Sequence, residues 1–231
     1  MFFEDWKPIY EKIADDLNFP LEKEKQAATL LNELLEEKKR YPIKKLEELI
    51  AGKEVIVFGA GPSLESSFII HKEKFDDTVK IAADGVTSAL LKNGILPDII
   101  VTDLDGKVSD QLKANSEGSI VIAHTHGDNI DNIKKYIPEF KGEMVGSTQI
   151  DPKPYGHIQN FGGFTDGDRA VFLADHFRAK RIYLIGFDFE GEIGKYSFSE
   201  NKDYKLKLKK LNWCKYLVEL LKKDNRNIQE L

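Results

Sequence analysis

From residue 54 onward the chain alternates between two hydrophobic rhythms. Short, nearly continuous apolar runs, EVIVFGA (54–60), TVKIAAD (78–84), DIIVTDLD (98–105), SIVIAHTH (119–126) and RIYLIGFD (181–188), are separated by segments with helical spacing such as SLESSFIIHKEKF, GVTSALLKNG, DNIDNIKKYI and GDRAVFLADHFRA. A strand that is apolar at every position is covered on both faces, and strands joined through helices run parallel. The pattern therefore predicts an α/β fold, a mainly parallel sheet with helices on both faces. Residues 1–50 read differently, with many Glu, Lys and Leu and no glycine before Gly52. QAATLLNELLEEKKR (26–40) puts Leu30, Leu31, Leu34 and Leu35 on one helical face, and PIKKLEELIAG (42–52) reads as a further helix stopped at Gly52. The organisation expected is a helical N-terminal region, 1–50, followed by an α/β domain, 51–231. The leading helices are expected to serve as a cap or a subunit contact, which makes a homodimer an expectation. From about residue 203, DYKLKLKKLNWCKYLVELLKKDN closes the chain as an amphipathic helix whose lysines are assigned to a solvated face.

Composition narrows the choice of partners. Hydrophobic residues make up 41%, charged residues 32%, and the net charge is -5, so the positive excess of a nucleic-acid surface is missing. No apolar run approaches the roughly 20 residues of a membrane helix. A lone cysteine, Cys214, cannot form an internal disulfide, and no basic-then-apolar leader opens the sequence, so a cytoplasmic protein is expected with Cys214 as a packing residue.

Candidate chemistry gathers where the apolar runs end, which is where parallel sheets bind ligands. The first run is followed by GAGPSLE (59–65), which lacks the third glycine of a dinucleotide fingerprint and the Lys-Ser/Thr of a Walker loop. Gly59 and Gly61 permit a tight turn, Pro62 suits a first helical turn, and Ser63 adds a hydroxyl where free N–H groups could receive an anion. A phosphate site and a plain strand-to-helix turn explain it equally well. Asp84, Asp103 and Asp105 cannot all be helix caps. Crowded carboxylates take up a proton or a cation, and hard oxygen ligands suit magnesium held with the help of a substrate's phosphates. If the third strand runs through residue 105, Asp103 and Asp105 point the same way, whereas Asp98 lies ahead of the apolar run as a turn residue. His124 and His126 also share a side if extended. Lacking a third ligand at zinc spacing, they read as donors to a substrate or as structural histidines. In GGFTDGDRAVFLADHF (162–177), Thr165 or Asp166 can cap a helix that buries Ala170, Phe172, Leu173 and Phe177. Asp168 and Arg169 crowd the same turn, and Arg169 can pair with an acid or face phosphate. Lys195, in the glycine-bracketed loop GEIGKYS, reads as a phosphate contact or a solvated lysine, and Asp188 as a ligand or a cap.

GAGPSLE, ADGVTSALLKNGILPDIIVTDLDG, HTHGDN, GFTDGDRAVFLA and LIGFDFEG together resemble the archaeal 6-hydroxymethyl-7,8-dihydropterin pyrophosphokinase family over roughly residues 50–200 and into the closing helix. The resemblance implies transfer of diphosphate from ATP to the pterin hydroxymethyl group, with release of AMP, on a route to tetrahydromethanopterin or folate-type cofactors. ADG, PDIIVTDLDG and TDGDRAV are more distantly similar to thiamine pyrophosphokinase. That similarity implies a Rossmann-like, thiamine-pyrophosphokinase-like fold, with Mg2+ on Asp103 and Asp105, Asp84 nearby, and Asp166 and Asp168 as acids from a second side. Gly106 stands where the thiamine enzymes have Ser, and HTHGDN has no counterpart in them, so thiamine is not the expected substrate. On this reading Gly59, Gly61, Pro62 and Ser63 hold phosphates with help from Arg169 and Lys195. Asp128 or Asp166 accepts the hydroxyl proton, and His126, Asp128, Gln149, Asn160 and Phe164 meet the pterin. Two rivals share parts of the pattern. One is a sialyltransferase-like glycosyltransferase with the same GPSL turn and a catalytic His124 or His126; the other is a non-catalytic module that binds a metal-nucleotide complex.

Overall fold

The computed structural model describes residues 3–190, 194–197, 204–225 and 227–231; residues 191–193 of the glycine-bracketed loop lie outside them. Its centre is a sheet of eight strands, every neighbouring pair parallel: β1 (Glu54–Phe58), β2 (Val79–Ala83), β3 (Ile99–Thr102), β4 (Ile120–Thr125), β5 (Met144–Thr148), β6 (Ile158–Gln159), β7 (Arg181–Ile185) and β8 (Ile228–Glu230). The five apolar runs became β1, β2, β3, β4 and β7. The order across the sheet is β6-β5-β4-β3-β2-β1-β7-β8. From β1 the chain moves outward in one direction to β6, then returns to lay β7 on the other side of β1. The connections leaving β1 and β7 therefore diverge at the carboxyl edge of the sheet, which is the switch point of its strand order.

The helices are α1 (Phe3–Leu17), α2 (Leu21–Leu34), α3 (Ile43–Ile50), α4 (Leu64–Ile70), α5 (Val86–Lys92), α6 (Val108–Ser116), α7 (Ile130–Tyr136), α8 (Asp166–His176) and α9 (Tyr204–Asp224). Alternate side chains of β1 feed two cores, as strand geometry requires. Ile56 and Phe58 pack with Leu64 and Phe68 of α4 and Val86, Ala89 and Leu90 of α5. Val55 and Val57 face the larger core, which takes in Ala170, Val171 and Leu173 of α8 and Leu217 and Val218 of α9. The N-terminal helices bury Trp6, Ile13, Leu31, Leu46 and Ile50 in that same core. The Trp6 ring meets Phe172 edge-on at 5.9 Å, and its Nε1 donates to the Gln149 carbonyl at 3.0 Å. Residues 3–50 thus cover the α8 face of the sheet and reach the residue that follows β5. No helix among the described residues is long and apolar enough to cross a membrane.

Candidate active site

The acids beyond β2 and β3 are brought together by a break in strand geometry. β3 stops at Thr102, and Leu104 adopts φ 68°, a left-handed conformation that costs a non-glycine residue roughly 1–2 kcal/mol. The Thr102 hydroxyl fixes the turn. It accepts from the Leu104 amide at 2.8 Å and donates to Asp84 Oδ1 at 2.7 Å. Leu104 drops back into the core, and the alternation expected of Asp103 and Asp105 is lost. Asp103 turns inward, and Asp105 sits exposed on the rim of the same pocket. The inward partners are Asp84, itself at φ 42°, and Asp166 at the start of α8; one carboxylate oxygen from each of Asp84, Asp103 and Asp166 lies within 4.8 Å of the others. Asp84 Oδ1 also accepts from Gln111 Nε2 at 2.8 Å, and its Oδ2 lies against Gly106, where a Cβ would stand 2.2 Å away. That contact leaves no room for a side chain at position 106 while Asp84 keeps its hydrogen bonds to Thr102 and Gln111.

Each acid has its own surroundings. The Asp128 amide donates to His126 Nδ1 at 3.2 Å, so the proton of this imidazole lies on Nε2, which donates to Asp103 Oδ2 at 3.1 Å. Asn129 secures this turn by donating to the Asp103 and His124 carbonyls, both at 2.8 Å, while its Oδ1 accepts from the His126 amide at 3.0 Å. Asp166 accepts from Arg169 at 3.1 Å. Arg169 in turn donates to Gln149 Oε1 at 3.3 Å, Gln149 donates to Glu24 at 2.8 Å, and Glu24 accepts from the Gly127 amide at 2.9 Å. A buried chain of polar groups therefore runs from α2 to the acid cluster.

Burial, reinforced by the charges of Asp103 and Asp105, pushes Asp84 up to about 7 against the pull of its hydrogen bonds from Thr102 and Gln111. Burial and the Asp103 charge likewise raise Asp166 well above the carboxylate range, although Arg169 opposes them. Burial works against ionisation at Asp103 too, but the His126 hydrogen bond and the charges of Arg169 and Lys210 outweigh it and hold this carboxyl below the usual range. The cluster is thus short of positive charge. Its donors are hard oxygens, and Asp103 Oδ1 is buried with no hydrogen-bond partner among the described residues. That donor set fits a divalent cation of the magnesium type.

Several expected site residues prove to have structural work instead. The Gly59 and Gly61 amides donate to the Ile185 and Gly186 carbonyls at 2.7 and 2.8 Å, and the Ser63 amide and hydroxyl donate to Asp188 at 3.0 and 2.8 Å. With those donors committed, the GAGPS turn is not a ready phosphate cradle. Its glycines allow the turns after β1 and β7 to touch: a Cβ on Gly59 would lie 2.6 Å from the Gly186 carbonyl oxygen. Gly59 and Gly61 still line the pocket, but Pro62 and Ser63 do not. Asp168 is buried within the α8 cap, accepting from the Thr165 amide and hydroxyl at 3.0 and 2.6 Å and from the Phe164 amide, which removes it from the metal ligands. Lys195 pairs with Glu65 at 2.5 Å and does not itself line the pocket, although its neighbours Gly194 and Tyr196 do. Asn160 braces its own loop, donating to the Ile150 carbonyl at 3.0 Å and accepting from the Gly162 amide at 2.9 Å. Asp128 is exposed and outside the pocket, to which it contributes only through its amide on His126. His124 is buried below the site with Nδ1 2.9 Å from Ser147 Oγ, and burial together with the Arg169 charge keeps it well below the usual histidine value. Asp98, at the far end of β3, accepts from the Lys80 amide at 2.7 Å and so staples β2.

The pocket itself encloses about 360 Å³. Gln149, Phe164, Asp166 and Arg169 line it, as do residues that sequence reasoning passed over: Phe19, Phe187 and Phe189, with Lys207 and Lys210 from α9. Phe187 and Phe189 were visible in GFDFEG as aromatics beyond a strand end. Phe19 and the two lysines carried no signal, because only the packing of α9 on α8 decides which of its lysines look inward. Cys214 is buried at the base of the pocket, as packing, and burial holds its thiol well above the usual value.

The 6-hydroxymethylpterin diphosphokinase MptE-like family model matches residues 28–193. The chain belongs to this family. A Pyrococcus furiosus protein named 6-hydroxymethyl-7,8-dihydropterin pyrophosphokinase is 45% identical over 98% of this chain and 96% of its own length. A Methanocaldococcus jannaschii protein of the same name is 43% identical over 96% of each. Among solved structures, the MAf glycosyltransferase of Magnetospirillum magneticum AMB-1 aligns with 66% of this chain and 25% of its own, at 21% identity and a TM-score of 0.43, too loosely to bear on function. The segment that matches the family model holds all the acids of the cluster, whereas Phe19, Glu24 and Lys210 lie outside it.

Proposed function

We propose that the protein is a 6-hydroxymethyl-7,8-dihydropterin diphosphokinase with ATP as donor. The observation that carries this reading is the convergence of Asp84, Asp103 and Asp166 at the carboxyl edge of the sheet, inside an aromatic-walled pocket, in a chain of the diphosphokinase family. In the reaction the pterin hydroxymethyl oxygen bonds to the β-phosphorus of ATP. The bond from that phosphorus to the oxygen bridging to the α-phosphate breaks, and AMP departs with that oxygen. Asp84, Asp103 and Asp166 would hold a Mg2+ ion, which when bound would supply charge screening and polarisation of the phosphoryl oxygens.

The chain's own residues align and stabilise. His126 keeps Asp103 ionised and aimed into the pocket. Arg169, anchored through Gln149 to Glu24, fixes Asp166 and brings a buried positive charge to the anionic site. Asp105, on the rim, takes the hydroxyl proton, a modest demand in a loose phosphoryl-transfer transition state. Lys207 and Lys210 add positive charge at the pocket wall opposite the sheet edge. Incubation of the protein with ATP, Mg2+ and 6-hydroxymethyl-7,8-dihydropterin should yield AMP and a diphosphorylated pterin in equal amounts. ADP as the coproduct, or nucleotide binding without turnover, refutes the proposal.

A further inference from the structure

The strand order gives the pocket two sides. At the β1 and β7 ends stand Gly59, Gly186, Phe187 and Phe189; at the β4 and β5 ends stand His126 and Gln149, and the acids lie at the ends of β2 and β3 between them. Phe19 belongs to the second side, because it enters α2, whose Glu24 is tied to Gly127 beyond β4 and to Gln149 beyond β5. Its ring lies 6.0 Å from that of Phe164 at an interplanar angle of 40°, a tilted wedge of two rings in contact, with Phe164 buried and Phe19 partly exposed, and both line the pocket. Lys210 spans the wedge, with Nζ 5.9 Å from the Phe19 centroid and 6.0 Å from that of Phe164, and no carboxylate pairs with it among the described residues.

We propose that Phe19, Phe164 and Lys210 form the acceptor subsite, which takes a flat, carbonyl-bearing bicyclic heteroaromatic ring, and that the adenine of ATP lies on the Phe187 and Phe189 side. The identity of that ring as a pterin rests on the reaction proposed above. In-line transfer requires the attacking and leaving oxygens to approach the phosphorus from opposite directions, so a metal-bearing cluster in the middle separates acceptor from nucleotide. The order of strands reverses between β1 and β7, and the pocket surface over their packed turns, lined by Gly59, Gly186 and Phe187, is the nucleotide's place in a sheet of this kind. The wedge is left for the acceptor, with an aromatic wall for its ring to pack on and an ammonium to donate to its oxo group. Phe19 and Lys210 come from the elements that flank the sheet, the entry to α2 and the body of α9.

Equilibrium binding to the full-length protein tests this with two probes, 6-hydroxymethylpterin followed by its fluorescence and Mg2+ with the unreactive α,β-methylene analogue of ATP. Phe19 is partly exposed, and Lys210→Met keeps the apolar stem, so neither Phe19→Ala nor Lys210→Met opens the core. Each variant should weaken pterin binding by about tenfold. In Phe19→Ala nucleotide affinity should stay within about twofold, and in Lys210→Met it should fall by less than the pterin affinity, because the Lys210 charge also supports Asp103. Phe187→Ala should weaken nucleotide binding by about tenfold and leave pterin within about twofold. Wild-type-like pterin binding by both wedge variants overturns the assignment, as does loss of nucleotide in place of pterin. Wild-type protein that binds the nucleotide and no pterin overturns the proposed reaction itself, an outcome distinct from a misplaced subsite, in which the wild type and the wedge variants bind pterin alike.

Discussion

Asp84 and Asp103 are the same side chain in the same pocket, held in opposite states by what each can borrow. Asp103 has an imidazole N–H and two cations within reach, whereas Asp84 has two neutral donors and the field of two anions. This difference has a thermodynamic signature. A carboxyl at about 7 in the folded protein and near 4 when unfolded gives stability that is complete below pH 4 and is lost as the pH rises toward 7. Without divalent metal, the wild type should therefore lose melting temperature between pH 4.5 and 7 relative to Asp84→Asn, and added Mg2+ should narrow the gap. Asparagine suits the test because it tolerates the left-handed backbone at position 84 and can accept the same hydrogen bonds. Parallel pH profiles for the two proteins would contradict this account. Asp103→Asn should lower kcat by about a hundredfold or more and abolish the Mg2+-dependent rise in melting temperature, while far-ultraviolet circular dichroism stays unchanged. Much of this was legible at the residue level, since Asp84 and Asp103 stand where apolar runs end and Asp166 stands in the dense GGFTDGDR segment, where it also read as a helix cap. Their grouping was not. Pairing Asp103 with Asp105 assumed a strand that continued, and nothing in VTDLD announces that the Thr102 hydroxyl will catch the Leu104 amide and turn the chain.

Among the elements, the turn after β1 shows how one motif supports two readings until its partner is known. The GAGPS donors look available for phosphate when only their own strand is in view; in the fold, Gly186 and Asp188 beyond β7 occupy them. A Cβ on Gly61 would sit 2.1 Å from Asp188 Oδ2 and 2.7 Å from the Gly186 carbonyl oxygen. Gly61→Ala should therefore destabilise the protein by about 2 kcal/mol. The double variant with Asp188→Ala should recover only part of that loss in chemical denaturation, because the carbonyl remains. Full additivity of the two losses would mean that the turns do not touch as described. The same dependence on neighbours explains the strands that sequence periodicity left out. β5 carries Gly146, where a side chain would strike Ile158 and Leu35 at 2.5 Å, so close packing demands a residue that reads as a strand breaker. β8 is an edge strand in which only Ile228 is buried, too little apolar signal to register.

Across the whole molecule, the composition break near residue 50 marks a change of secondary structure without marking a change of core. Trp6, Leu31 and Leu46 share one buried cluster with the sheet and α8, and the hydrogen-bond chain from Glu24 ends at Asp166. Helices bound in this way should melt with the sheet: denaturant unfolding followed by tryptophan fluorescence and by circular dichroism should give one coincident transition. Trp6→Ala removes a fully buried ring that packs on Phe172 and donates to the Gln149 carbonyl, so it should cost about 3–5 kcal/mol and move that whole transition. It should also weaken binding of a Mg2+-nucleotide probe, because Gln149 steadies Arg169 and Arg169 steadies Asp166. An early, separate transition confined to the variant, with nucleotide binding intact, would instead make residues 3–50 an independent cover. The packing argues against that outcome, since a helix whose indole touches both α8 and the residue after β5 cannot loosen without releasing the arginine that holds one of the three acids.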